Sequence, residues 1–146
     1  MTVLTAFDSD VLIYAGDAAN PMASKIVQLF PEATDEIAGT GSLILLTEVL
    51  AKPMRADAAS SETRDLIDLL GRLDLYPLDE PTAQLALSLA VSYGLKAADS
   101  VHLATAIAAG ADRFLTNNRK DFPKTIRELD IVYPDDLPDP GEHSAE

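Results

Sequence analysis

Residues 94–122, GLKAADSVHLATAIAAGADRFLTNNRKDF, decide the fold. From Ala97 to Ala109 the chain is alanine-rich and apolar, with Val101, Leu103 and Ile107 supplying bulk, and it reads as a helix. Gly110 follows, a residue that takes a left-handed conformation without steric cost and so stops helices well. Arg113 to Thr116 then reads as a brief strand with Phe114 and Leu115 on opposite faces, before the polar loop TNNRKDF. One acid, Asp99, stands in the first turn of this helix. The helix dipole favours a carboxylate there, so helix-start chemistry explains Asp99 as readily as function does.

Outward from that unit, the pattern repeats. Val3 to Phe7 is a short apolar run, ended by Asp8-Ser9-Asp10 and followed by Val11-Leu12-Ile13-Tyr14. Asp8 directly ends the strand, whereas Asp10 reads more readily as helix-cap chemistry. Met22, Ile26, Val27, Leu29 and Phe30 recur at helical spacing behind Pro21. The stretch TDEIAGTGS is turn-prone, and Leu43-Ile44-Leu45-Leu46 after it reads as a strand covered on both faces. Glu48 then falls at the start of the next helix. Ala58 to Gly71 forms an amphipathic helix with Leu66, Ile67, Leu69 and Leu70 inward, and Leu73 to Leu78 a strand. Pro81 opens a helix that ends at Gly94, and Leu129 to Tyr133 is the last strand. Strands alternating with helices predict an α/β fold with a parallel sheet sandwiched by helices.

Composition limits the function classes. The chain has 146 residues, enough for one domain with a sizeable core, and 47% of them are apolar. No run reaches the ~18 apolar residues of a membrane span, and MTVLTAFDSD lacks a secretory signal's pattern. These features predict a cytoplasmic protein. Zero cysteines exclude disulfides and thiolate metal sites, and two histidines make a histidine-rich zinc site a poor expectation. Against 11 basic residues stand 24 acidic ones, a net charge of -13. Such a surface repels phosphate backbones and suits a basic protein partner. Part of the excess lies in residues 135–146, an acidic, Pro-rich tail expected to be disordered, behind a domain at 1–134.

Asp8 follows the first strand, Glu48 the second, and Asp99 begins a helix near the later strands; Asp121 lies in the loop after the Phe114 strand. In a parallel α/β sheet these positions converge at the carboxyl edge, where ligands bind. Clustered carboxylates raise one another's pKa unless a cation neutralises them. Oxygen donors without Cys or His favour Mg2+ or Mn2+, and an ion so held supports phosphodiester hydrolysis.

The ordered motifs resemble the PIN-domain family, most closely the VapC-type toxin ribonucleases. Asp8 with Val11-Leu12-Ile13-Tyr14 is similar to the opening motif, Leu46-Thr47-Glu48-Val49-Leu50 to the second, Ala98-Asp99-Ser100-Val101-His102-Leu103-Ala104-Thr105-Ala106 to the third, and Thr116-Asn117-Asn118-Arg119-Lys120-Asp121-Phe122 to the closing one. The resemblance spans about Val3 to Tyr133. It implies a three-layer α/β/α sandwich and Mg2+ (or Mn2+) bound by Asp8, Glu48 and Asp99; Asp121, placed near them by its position after the Phe114 strand, is the candidate fourth catalytic acid in place of Asn118. It also implies cleavage of single-stranded RNA, a homodimer, and inhibition by a small antitoxin that inserts residues into the site; the acidic surface would make that antitoxin basic. Two positions depart from the family pattern: Asn118 is neutral where an acid is frequent, and Asp10 stands where Asn or a small polar residue is usual.

Several supporting residues have both a functional and a local structural reading. Thr116 can orient a neighbouring carboxylate or merely end a strand, and Ser9 can do the same or cap. His102, one helical turn from Asp99, reads first as a structural histidine. Arg119 and Lys120 can meet a phosphate or remain solvated. Three other readings compete. A catalytically weak PIN-like binding or regulatory module would account for Asn118. An aspartyl-phosphate phosphatase wants a Gly-Thr-like turn where Val11-Leu12 stands. A phospho-acceptor receiver wants a central acceptor Asp after the third strand, and Tyr76-Pro77-Leu78 offers no clean one.

Overall fold

The computed structural model describes residues 3–31 and 36–141. Five parallel strands, β1 (Thr5–Phe7), β2 (Gly39–Ser42), β3 (Leu73–Tyr76), β4 (Arg113–Leu115) and β5 (Asp130–Val132), stand in the order β3-β2-β1-β4-β5. Helices α1 (Ser9–Ala15), α2 (Ala23–Val27), α3 (Leu45–Asp57) and α4 (Ser61–Leu70) pack on one face, and α5 (Glu80–Tyr93) and α6 (Ala97–Ala108) on the other. The result is the expected α/β/α sandwich. No helix of the described residues is long and apolar enough to cross a membrane.

Strand alternation sorts the core into two layers. Ala6, Phe114 and Ile131 join Leu89, Leu103 and Phe122 under α5 and α6, while Phe7 and Leu115 join Leu12, Leu45, Val49 and Leu66 under the other helices. Phe114 and Leu115 thus face opposite ways, as their spacing predicts. The glycines that follow α5 and α6 work as stops: Gly94 and Gly110 have φ of 67° and 74°.

The strand expected at Leu43-Ile44-Leu45-Leu46 lies instead at Gly39-Thr40-Gly41-Ser42. Leu45 is fully buried, but Leu43 and Leu46 are exposed, and the run is the turn into α3. Its start is fixed by the Ser42 hydroxyl, which accepts the Ile44 N–H at 3.2 Å. Small residues occupy β2 because neighbours crowd it. A Cβ on Gly39 would sit 2.4 Å from the Thr5 carbonyl oxygen and 2.6 Å from the Phe7 ring, and one on Gly41 2.4 Å from Leu45.

The C-terminal boundary also moves. Pro134–Asp136 is a 3-10 turn, Leu137 is buried beside Phe7 and Leu115, and the Pro138 carbonyl accepts from Gln28. The packed chain therefore runs past residue 134. The tail's last part, 142–146, lies outside the described residues.

Candidate active site

The carboxyl ends of β1 and β4 lie side by side, with Phe7 opposite Leu115. The next residue of each strand, Asp8 and Thr116, is buried there. Asp8, not Asp10, is the N-cap of α1. Its Oδ1 accepts the Ser9 N–H at 2.7 Å, and its Oδ2 accepts the Thr116 hydroxyl at 2.7 Å. Thr116 thus orients a carboxylate, one of its two expected roles. Ser9 contributes its backbone N–H to this cap.

Asp10 lies in the first turn of α1. Its Oδ2 accepts the Asn117 N–H at 3.1 Å, but its buried Oδ1 has no hydrogen-bond partner. Burial, followed by the charges of Asp8 and Asp99, pushes its carboxyl up to about 7 against the N–H groups of Asn117 and Val11. Capping chemistry alone does not account for such a group.

Asp99 occupies the first turn of α6, where a helix dipole would favour the ionised form. Its carboxyl is nevertheless raised, by burial first and then by Asp8, Asp121 and Glu48, with His102 opposing. The neighbouring acids and burial outweigh the helix start.

Glu48, in the first turn of α3, pairs with His102, whose Nε2 contacts its Oε1. His102 is only 2% exposed, and its Nδ1 is buried with no partner. Asn118 and Asp121 lock one turn together. The Asn118 amide donates to Asp121 Oδ2 at 2.9 Å, and Asp121 N–H donates back to Asn118 Oδ1 at 3.3 Å. Asn118 N–H also donates to the Thr116 hydroxyl oxygen at 3.0 Å, joining this turn to Asp8.

Asp8, Asp10, Glu48, Asp99 and Asp121 therefore share one electrostatic neighbourhood at the sheet's carboxyl edge. Arg119 does not join them: it pairs with Asp135 and lies 4.6 Å over the Tyr133 ring. The contact between His102 and Glu48 is not visible in the sequence. The spacing of His102 from Asp99 was a signal, but its partner on α3 is distant in the chain. The link from Asn117 to Tyr14, a 3.3 Å hydrogen bond, had no sequence signal.

Among the described residues, no three carboxylate or imidazole groups already stand in ligating positions around one point. The donor chemistry nonetheless fits a hard cation. The carboxylates offer only oxygen, one buried Asp10 oxygen lacks any donor, and two carboxyls are raised by uncompensated burial and repulsion. A divalent ion here would reverse that pKa logic.

Comparison with known proteins agrees with this fold. The PIN domain family model matches residues 6–128. A toxin–antitoxin complex from Klebsiella pneumoniae is similar at 25% identity and a TM-score of 0.70, covering 91% of this chain and 98% of that chain. VapBC2 from Rickettsia felis, bound to a DNA fragment from their promoter, is 18% identical with a TM-score of 0.67, covering 90% of this chain and 98% of that one. The latter likeness concerns the fold. No curated protein matches the chain.

Proposed function

The chain belongs to the PIN-domain family, and we propose that it is a metal-dependent endoribonuclease that cuts single-stranded RNA in the cytoplasm, the toxin of a toxin–antitoxin pair. The observation that carries this reading is the crowding of acids from β1, α1, α3, α6 and the β4 loop without a matching positive charge. Asp8, Glu48 and Asp99 would hold Mg2+ or Mn2+, with Asp10 an added oxygen donor. The bound ion would supply activated water and charge neutralisation at the phosphodiester. The chain's own residues prepare the place. Thr116 and the Ser9 N–H fix Asp8, and Asn118 fixes Asp121 beside Asp99. Burial of Asp8 and Thr116 keeps that wall of the site dry, which strengthens every charge interaction there.

The proposed antitoxin has a seat beside these acids. A groove of about 240 Å3 runs between α1, α3 and α4, lined by the apolar Ile13, Val49, Pro53 and Leu66 and by Glu48, Lys52 and Glu62. A segment lying there could place a basic side chain among the acids, consistent with the net charge of -13. The homodimer belongs to the same proposal.

A second reading, a catalytically weak PIN-like binding or regulatory module, draws on two observations. Asn118 is neutral and committed to Asp121, and Glu48 is committed to His102. The assay that separates the readings is cleavage of a mixed-sequence single-stranded RNA with Mg2+, with Mn2+ and with EDTA, alongside Asp99→Asn. Cutting that needs metal and is lost in the variant supports the nuclease. Folded protein that is free of a copurified partner and cuts nothing supports the module.

A further inference from the structure

His102 and Asp99 stand one turn apart on α6, so they share a helix face. From that face the His102 ring reaches across to α3, and Nε2 meets Glu48 Oε1. The ring is almost wholly buried, whereas the Glu48 side chain is one-third exposed. Glu48 has several rotatable bonds and sits at the site's solvent side, so without a fixed partner it would sample many positions. Nδ1 lies buried with no acceptor, so a proton there would be an unsatisfied buried donor. The tautomer that fits carries its proton on Nε2 and donates it to Glu48.

We propose that His102 is a positioning residue. It anchors Glu48 through Oε1 beside Asp99 and leaves the second carboxylate oxygen uncommitted for the cation. The inference rests on the metal-nuclease reading above and adds to it a rigid, buried hydrogen-bond donor behind one ligand. An apolar residue of similar size could fill the same core space, so a merely structural His102 would need no donor at Nε2. A competing lock, in which His102 withholds Glu48 from the ion, predicts the opposite sign.

The test measures Mn2+ affinity by electron paramagnetic resonance titration of the full chain, with thermal melts to verify folding and RNA cleavage alongside. His102→Leu keeps apolar bulk but cannot donate, and it should weaken Mn2+ binding about 10- to 100-fold. His102→Gln places an amide N–H near the Nε2 position and should bind nearly as well as wild type. If His102→Leu does not fold, His102→Asn replaces it; its shorter amide falls short of Glu48, and it should bind distinctly more weakly than His102→Gln. Wild-type affinity or tighter in the non-donating variant overturns the positioning role while leaving the nuclease reading intact. A wild-type protein that binds no Mn2+ refutes the nuclease reading itself, and this inference with it.

Discussion

The chain builds two acidic places and treats them oppositely. At the turn after β5, Asp135 pairs with Arg119 at 2.5 Å, and Asp136 pairs with Lys124 at 2.6 Å while accepting the Tyr133 N–H at 3.0 Å. Both cations also lie over the Tyr133 ring. Lys124 and that N–H hold the Asp136 carboxyl below its ordinary range. At the carboxyl edge of β1 and β4 the acids are more buried, and that burial, followed by the charges of neighbouring carboxylates, raises Asp10 and Asp99. Acids that serve local structure receive their partners from the fold. At the sheet edge Asp8, Glu48 and Asp121 also have partners, but a buried Asp10 oxygen has none, and the two raised carboxyls are what the proposed cation site requires.

The largest effect should come from removing a carboxylate on the deprived side. Asp99→Asn is nearly isosteric and relieves repulsion, so RNA cleavage should fall by about 10³-fold or more with no loss of melting temperature. Supplying the missing charge should sharpen the contrast. Asp10 takes up its proton near pH 7 in the folded protein but near 3.8 when unfolded. Its protonation stabilises the fold fully below the unfolded value, and that stability is lost as pH rises towards 7. Metal-free protein should therefore lose stability between pH 5 and pH 8 by this group, on the order of a few kcal/mol. Urea melts in EDTA should show Asp10→Asn more stable than wild type at pH 8, with most of the gain gone at pH 5. Mg2+ should raise the melting temperature more at pH 8 than at pH 5, since protons compete for the same oxygens.

The provisioned side should give the smallest response. Asp136 has its pKa lowered, so its stabilisation is present above the ordinary carboxyl value and lost as pH falls through the lowered one. Because both partners are substantially exposed, Asp136→Asn should cost less than about 1 kcal/mol and less still in high salt. A larger loss there than the gain at Asp10 would erase the distinction between the two places.

Most of the scaffold was legible because alternation of periods survives in the sequence. The α6 and β4 unit, the glycine stops and the parallel order all follow from apolar spacing. Strand β2 was not legible, since hydrophobic pattern finds strands that supply bulk, and β2 lies where Phe7, Leu45 and the Thr5 carbonyl leave no room for it. Asp8, Glu48, Asp99 and Asp121 could be grouped from their positions after strands and at helix starts. Their partners could not all be foreseen. The Thr116 hydroxyl was one of two open roles, whereas the His102 bond to Glu48 joins residues 54 positions apart and needs the tertiary fold. The partners of Arg119 are hidden from the sequence for the same reason, because Tyr133 and Asp135 come from the end of β5 and the turn beyond it.

Calorimetric titration of Mg2+ into metal-free wild-type protein and Asp99→Asn at pH 8 tests the central claim most directly. Saturable binding to the wild type, with release of protons and a marked loss of affinity in the variant, is the predicted result. No binding to the wild type, or equal binding to both proteins, would contradict a cation site built from these carboxylates.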